Sequence, residues 1–281
     1  MRDKLSVLKE YFGHDSFREG QGRITDSLLG GRDVLGIMPT GAGKSICYQV
    51  PALMFDGITI VVSPLISLMK DQVSALVQSG GVAAAYINSS LTHAQYLKVL
   101  QNTKNGKYKI IYVAPERLCA PAFLEICRNL NISMVAVDEA HCVSQWGQDF
   151  RPSYLKIPDF IDALNSRPVV GAFTATATGA VRDDIKTLLR LVSPLVVTTD
   201  FDRPNLFFSV MQPKNKSIAL MKLIKERKSE SGIVYCSTRK AVKEVCELLQ
   251  KNGFAVTRYH AGLDEDERRR NQDDFVYDAR R

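Results

Sequence analysis

The sequence predicts an α/β fold: a doubly wound parallel sheet covered by helices on both faces, with one complete lobe and part of a second. Three observations carry this reading. Short, nearly unbroken apolar runs recur along the chain, helix-like stretches alternate with them, and a glycine-rich turn directly follows the first run. Strands buried on both faces read as continuous apolar runs, and regular strand–helix alternation favours parallel crossovers.

The runs are DVLGIM (33–38), ITIVVS (58–63), VAAAYI (82–87), IIYV (110–113), ISMVAV (132–137) and PVVGAF (168–173). Between them lie helix patterns such as SLMKDQVSALVQSG and THAQYLKVLQNTKNG. The second opens with Thr92 and Gln95 at capping-box spacing and closes on Gly106. The stretch TDFDRPNLFFSVMQPKNK (199–216) mixes Pro, Asn and charge and reads as a linker, which sets the lobes at 1–205 and 206–281. Beyond it a helix is expected near 216–229, a strand at GIVYCS (232–237) and a helix at 239–251 with Val242, Val245, Cys246 and Leu249 on one face. A strand at AVTRYH (255–260) and a helix over DEDERRRNQDDFVYD follow. The stretch after the linker is short for a domain of typically ~100–150 residues, so the second lobe is expected to be incomplete.

Composition is that of a soluble globular protein, 45% hydrophobic and 24% charged, which excludes disordered, collagenous and membrane classes. The net charge of +7 permits a polyanionic partner without identifying one. Six cysteines (47, 119, 127, 142, 236, 246) show no Cys-x-x-Cys pair, and Cys47, Cys236 and Cys246 sit in apolar patterns as small buried hydrophobes. That argues for a reducing compartment and against a zinc site. With no apolar run of ~18 residues and no signal-peptide pattern at the start, a cytoplasmic protein is expected.

The turn after DVLGIM is PTGAGKSICYQ. Gly43, Lys44 and Ser45 match the end of G-x-x-x-x-G-K-[ST], while Met38 occupies the first Gly position. Gly41 and Gly43 let the backbone curl so that successive N–H groups face phosphate oxygens at a helix N-terminus, with Thr40 and Ala42 in the same cradle. Lys44 would reach the β/γ-phosphates and Ser45 would ligate Mg²⁺. Asp138 and Glu139 close the ISMVAV run, at the carboxyl end of a strand, where such sheets bind ligands. There Asp138 would hold Mg²⁺ and Glu139 polarise an attacking water. Together these residues imply a P-loop NTPase using Mg²⁺.

Directly downstream, DEAHCVSQWGQDFRPSY places the only tryptophan among polar residues. Gln145, Trp146, Phe150 and Arg151 combine stacking faces with charge and hydrogen bonding, the chemistry of single-strand nucleic-acid binding. The polarity of the segment argues against a core strand.

TGAGKS, VVSPLISLMKDQ, YVAPERL, DEAH and FTATAT, in that order, resemble the motor motifs of superfamily 2 helicases. MPTGAGKSICYQVPAL, DEAHCVSQWGQDFRPSY, FDRPNL and YHAGL resemble RecQ-type DNA helicases more narrowly, from about residue 4 to the end. The resemblance implies two RecA-like lobes and an ATP-dependent 3'-5' DNA helicase acting in recombination and repair. It implies that FGHDSFREGQ contacts the adenine, Gln21 holding the base edge, Arg18 assisting, and His14 standing where the family has a stacking aromatic. His141 would couple the ATP site to FTATAT, where Thr174 and Thr176 relay to DNA. Ser67 and Lys70, and Ser237, Arg239 and His260 in the second lobe, would lie near the DNA backbone. The implied partners are single-stranded and partly duplex DNA, with single-strand-binding or recombination proteins, for a monomer associated with the nucleoid in a bacterium. The family's QxxGRxGR motif, which carries an arginine finger, is absent, so these residues are expected to bind ATP and DNA but to unwind poorly. Two alternatives stand: an RNA-directed helicase of the same superfamily, and a non-catalytic ATP-dependent binding module.

Overall fold

The computed structural model describes residues 3–147, 149–200 and 205–277. Gln148, the first part of FDRPNL (201–204) and the end of YDARR lie outside them. The chain divides into two compact units, Met1–Arg203 and Pro204–Arg281.

The first unit runs α1 (Lys4–Phe12), α2 (Gln21–Leu29), β1 (Val34–Ile37), α3 (Lys44–Met54), β2 (Ile58–Val62), α4 (Ile66–Gly80), β3 (Ala84–Ile87) and α5 (His93–Lys104). It continues with β4 (Ile110–Val113), α6 (Pro121–Arg128), β5 (Ile132–Val137), α7 (Ile157–Asp162), β6 (Val169–Thr174), α8 (Gly179–Leu188) and β7 (Leu195–Thr198). The seven strands form one sheet in the order β3-β4-β2-β5-β6-β1-β7, every ladder parallel.

The unbroken apolar runs are explained by burial on both faces. Leu35, Ile37, Val62, Val113 and Val135 point into one core cluster, and their neighbours Val34, Val61, Tyr112, Met134 and Ala136 into the other. Successive strand side chains alternate faces, so both parities must be apolar when helices cover both sides. At the amino end of β1, Asp33 accepts hydrogen bonds from the Val170 and Val192 backbone N–H groups, 2.9 and 2.8 Å, and pairs with Arg167. The α5 capping box forms as the sequence predicts, with Thr92 and Gln95 bonding each other's backbone.

Six of the seven strands match the apolar runs. The seventh, β7, is a sheet-edge strand whose four residues include only one fully buried side chain, Val197, so it lacked the unbroken run that marks the others.

The second unit contains α9 (Lys216–Glu226), α10 (Arg239–Lys251) and α11 (Glu265–Val276), close to the three expected helices. The strands expected at 232–237 and 255–260 do not form, and no strand occurs among its described residues. A helix satisfies its own backbone, whereas a strand needs a ladder partner, and none of these segments pairs with another. Tyr235 is 91% exposed, and Cys236, expected to be buried, is half-exposed. Cys246 and Leu249 of α10 are its buried hydrophobic residues among those described.

Candidate nucleotide site and aromatic loop

The site forms where β1, β6 and β5 end side by side. Gly43, in the left-handed region at φ 81°, is the N-cap of α3, and no side chain caps the helix. Its first N–H groups are therefore left for an anion, which the helix dipole also favours. Gly41 is likewise left-handed at φ 83°. The Lys44 ammonium donates to the Met38 carbonyl at 3.3 Å, folding back across the turn. Thr40 and Gly41 are exposed, and Ala42, Lys44 and Ser45 are partly buried.

Arg18 and the first residue of α2, Gln21, brace this turn. The Gln21 amide donates to the carbonyls of Ala42 and Gly43 at 3.0 and 3.1 Å, while its oxygen accepts from the Arg18 backbone N–H. The Arg18 guanidinium donates to the Gly41 carbonyl at 2.8 Å. In this structure both side chains hold the turn itself, and His14 is exposed.

Asp138 follows β5 and is 6% exposed. Burial, then the neighbouring Glu139 charge, pushes its carboxyl up to about 6, against the Glu139 N–H bond at 3.0 Å and the charges of Lys44 and His141. Glu139 takes the left-handed backbone conformation, φ 47°, rare for a residue with a side chain and common at functional turns. Its carboxyl is held below the usual range by the hydrogen bond with His141, with burial opposing. His141 is pushed up to about 10, by its contact with Cys142 first and Glu139 second. The two adjacent carboxylates are thus driven apart in acidity by their surroundings.

His141 Nδ1 lies 2.9 Å from the Thr174 hydroxyl and 3.3 Å from Glu139 Oε2. Thr174 spends its one proton on the Thr176 carbonyl at 3.0 Å and accepts from the Thr176 N–H. The His141 Nδ1 must therefore carry a proton and donate. The Thr174 carbonyl accepts from the Met38 N–H at 3.0 Å, so this one residue, at the end of the strand between β1 and β5, touches both motifs. Thr174 is buried and Thr176 exposed.

The aromatic segment is a closed loop. The Tyr154 hydroxyl donates to the Asp138 carbonyl at 2.9 Å, and the Arg151 N–H to the Cys142 carbonyl at 2.9 Å. Trp146 at its crown is 80% exposed. Gln145 is exposed and Phe150 half-buried. The Arg151 guanidinium pairs with Asp149 and donates to the Pro64 carbonyl at 3.0 Å, tying the loop to the turn before α4, where Ser67 and Lys70 are exposed. Gly147 sits where a Cβ would meet the His141 carbonyl at 2.4 Å.

Sequence reasoning overlooked Tyr154, fully buried, although its Tyr ending a polar segment was a signal for an anchor. In the second unit, Ser237 and Arg239 are exposed, and the His260 ring accepts from the Gly262 N–H.

Among the described residues no group of three or more His, Cys, Asp or Glu could hold a metal. Mg²⁺ characteristically takes one or two protein oxygens together with nucleotide phosphates, and the donor set of Asp138 and Ser45 fits that mode. No helix among them is long and apolar enough to cross a membrane.

A parallel α/β sheet with an uncapped glycine turn facing paired carboxylates defines a RecA-like P-loop protein. Residues 18–185 match the DEAD/DEAH box helicase family, and residues 215–280 match the helicase conserved C-terminal domain. The chain belongs to the DEAD/DEAH box helicase family, as a RecQ-type member. It is 46% identical over 274 residues to the ATP-dependent DNA helicase RecQ of Bacillus subtilis, covering 97% of this chain and 46% of that protein. It is 43% identical to the protein of the same name from Pasteurella multocida, covering 98% of this chain and 43% of that one. The chain thus spans less than half the length of these relatives. Its fold is also that of the DUF1998 helicase MrfA bound to DNA and AMPPNP, with TM-score 0.75 at 18% identity over 98% of this chain and 42% of that one. A hypothetical ATP-dependent RNA helicase from Sulfolobus tokodaii aligns with TM-score 0.56 at 18% identity over 99% of this chain and 80% of that one.

Proposed function

We propose that this chain is the ATP-binding part of an ATP-dependent DNA helicase motor, coupling hydrolysis to 3'-5' movement on single-strand DNA and to duplex unwinding in recombination and repair. The observation that carries this reading is the closure of the aromatic loop on the carboxylate strand: Tyr154 bonds the backbone of Asp138 itself. A strand stacking on Trp146 therefore pulls on a loop whose neck holds the hydrolytic carboxylates.

In this reading, Lys44 and the α3 N-terminus grip the β- and γ-phosphates. Asp138 and Ser45 would hold Mg²⁺, which when bound would supply charge neutralisation at the transferring phosphate. Glu139 orients the water, and the His141 Nδ1 proton links Glu139 to Thr174. Gln21 and Arg18 share their hold on the turn with adenine recognition, beside His14. Trp146 and Phe150 stack on bases, with Gln145 alongside, and Arg151, Ser67, Lys70 and Thr176 line the strand's path. In the second unit, taken by itself, Ser237, Arg239 and His260 are the residues offered to a nucleic-acid backbone.

The test is a titration of Trp146 fluorescence with DNA and RNA oligonucleotides, alongside ATP turnover. Quenching by single-strand DNA, with turnover that depends on Lys44, is expected. Response to RNA alone would move the substrate to RNA, and response to neither would overturn the reading.

A further inference from the structure

We propose that Ser144 and Asp184 form a latch that positions the aromatic loop against α8, so that displacement of Trp146 is delivered to the Thr174 end of the sheet. The proposal rests on the reading above, in which this loop meets a nucleic-acid strand.

Ser144 is the first residue after the short helical turn 140–143, and it is fully buried. Its hydroxyl donates to Asp184 Oδ2 at 2.6 Å and accepts from the Trp146 N–H at 3.1 Å. The first distance falls in the short range of a hydroxyl–carboxylate bond. Both ends of the hydroxyl are thus occupied, one by α8 and one by the backbone of the exposed tryptophan.

Asp184 stands on a rigid element. Thr178 caps α8, and Val181 and Ile185, on either side of Asp184, are 3% and 0% exposed in the core. The same stretch of chain is fastened a second time, where His141 donates to Thr174. Residues 141–144 and 174–184 are therefore joined at two points, one beside the carboxylates and one beneath Trp146. The bonds of Tyr154 and Arg151 already close the loop on itself and on β5, so these two joints decide whether its motion is passed on to α8. With both in place, the loop and the β6–α8 connection must shift together.

Nothing in the fold of the sheet requires the second joint. Ser144 fills no strand position, and its carboxylate partner lies 40 residues away in sequence. The simplest use of such a bond is to fix where the loop sits, which makes both residues positioning residues and neither catalytic.

The test uses the whole chain with Ser144→Ala, Asp184→Ala, the double variant and Asp184→Asn, which keeps an acceptor. Trp146 is the only tryptophan, so its fluorescence anisotropy without nucleic acid reports the latch directly. Affinity for a fluorescent ATP analogue, with and without oligo-dT, reports coupling. Expected are lower anisotropy in both alanine variants, restored in Asp184→Asn, with unliganded-protein nucleotide affinity within about two-fold of the parent. The oligo-dT effect on that affinity, of the order of 5–150-fold for coupled sites, should fall toward one. The double variant should add nothing to either single. Unchanged anisotropy would overturn the latch, as would a loss of nucleotide affinity matching the loss of coupling. If circular dichroism shows Asp184→Ala unfolded, Ser144→Ala decides. If the parent itself shows no oligo-dT effect, the functional reading fails, and anisotropy still decides the latch.

Discussion

The two units answer the same kind of sequence in different ways. ITIVVS and GIVYCS are both short, apolar and β-branched, yet the first is a buried central strand and the second is largely exposed chain. In the first unit β2 has β4 on one side and β5 on the other, so both of its edges are laddered. In the second, the helices form on schedule and the expected strands do not. Helical structure is a local property of sequence, whereas a strand exists only in company.

The comparison can be broken first at the chemistry. Glu139→Gln should cut ATP turnover by roughly 10²–10⁴-fold, the usual contribution of a positioned acid or base, while leaving ATP binding intact. Glu244→Gln, on the exposed flank of α10, should leave turnover unchanged. Equal effects, or none at Glu139, would remove catalysis from the first unit.

Asp33→Ala comes next. It strips the partner from Arg167, whose side chain is 40% exposed, and from two backbone N–H groups, and each buried N–H left unpaired costs about 1–3 kcal/mol. Urea unfolding followed by the sheet signal should show that loss. A change below about 1 kcal/mol would mean that the sheet's amino edge does not depend on this carboxylate.

Asp138→Asn should act in the opposite sense. The folded-state pKa of Asp138 is raised, from 3.8 to about 6, so its ionised form opposes folding above that pH. Stability from this group is therefore present at low pH and is lost as pH rises from about 4 through about 6. The amide variant should be more stable than the parent at pH 8 by roughly 2–3 kcal/mol, with the gap closing near pH 4. A gap independent of pH would rule out carboxylate burial as its cause. The smallest effect is expected at Phe208→Ala: the ring is 84% exposed, and a substitution so open to solvent should lie within about 0.5 kcal/mol.

What the sequence made legible follows the same division. Runs such as ISMVAV announced central strands because burial on both faces leaves no polar position. The glycine turn and the carboxylate pair stood out because their residue types at strand ends fit few purely structural roles. LVVT went unnoticed because an edge strand is buried on fewer sides and carries a weaker pattern. The Tyr154–Asp138 and Gln21–Ala42 bonds were invisible because they join residues 16 and 21 positions apart through folding, with no periodic trace. The strands at 232–237 and 255–260 were misread because a pattern records fitness for a ladder and says nothing of whether one is available.

The placement of β6 between β1 and β5 has one more consequence. The phosphate turn and the carboxylates stand two inter-strand steps apart, about 10 Å, a width set by backbone ladders. Side-chain changes at Lys44, Asp138 or Glu139 alter what the jaws hold, but not how far apart they stand. The sheet works as a gauge block, and the chemistry is mounted on it afterwards.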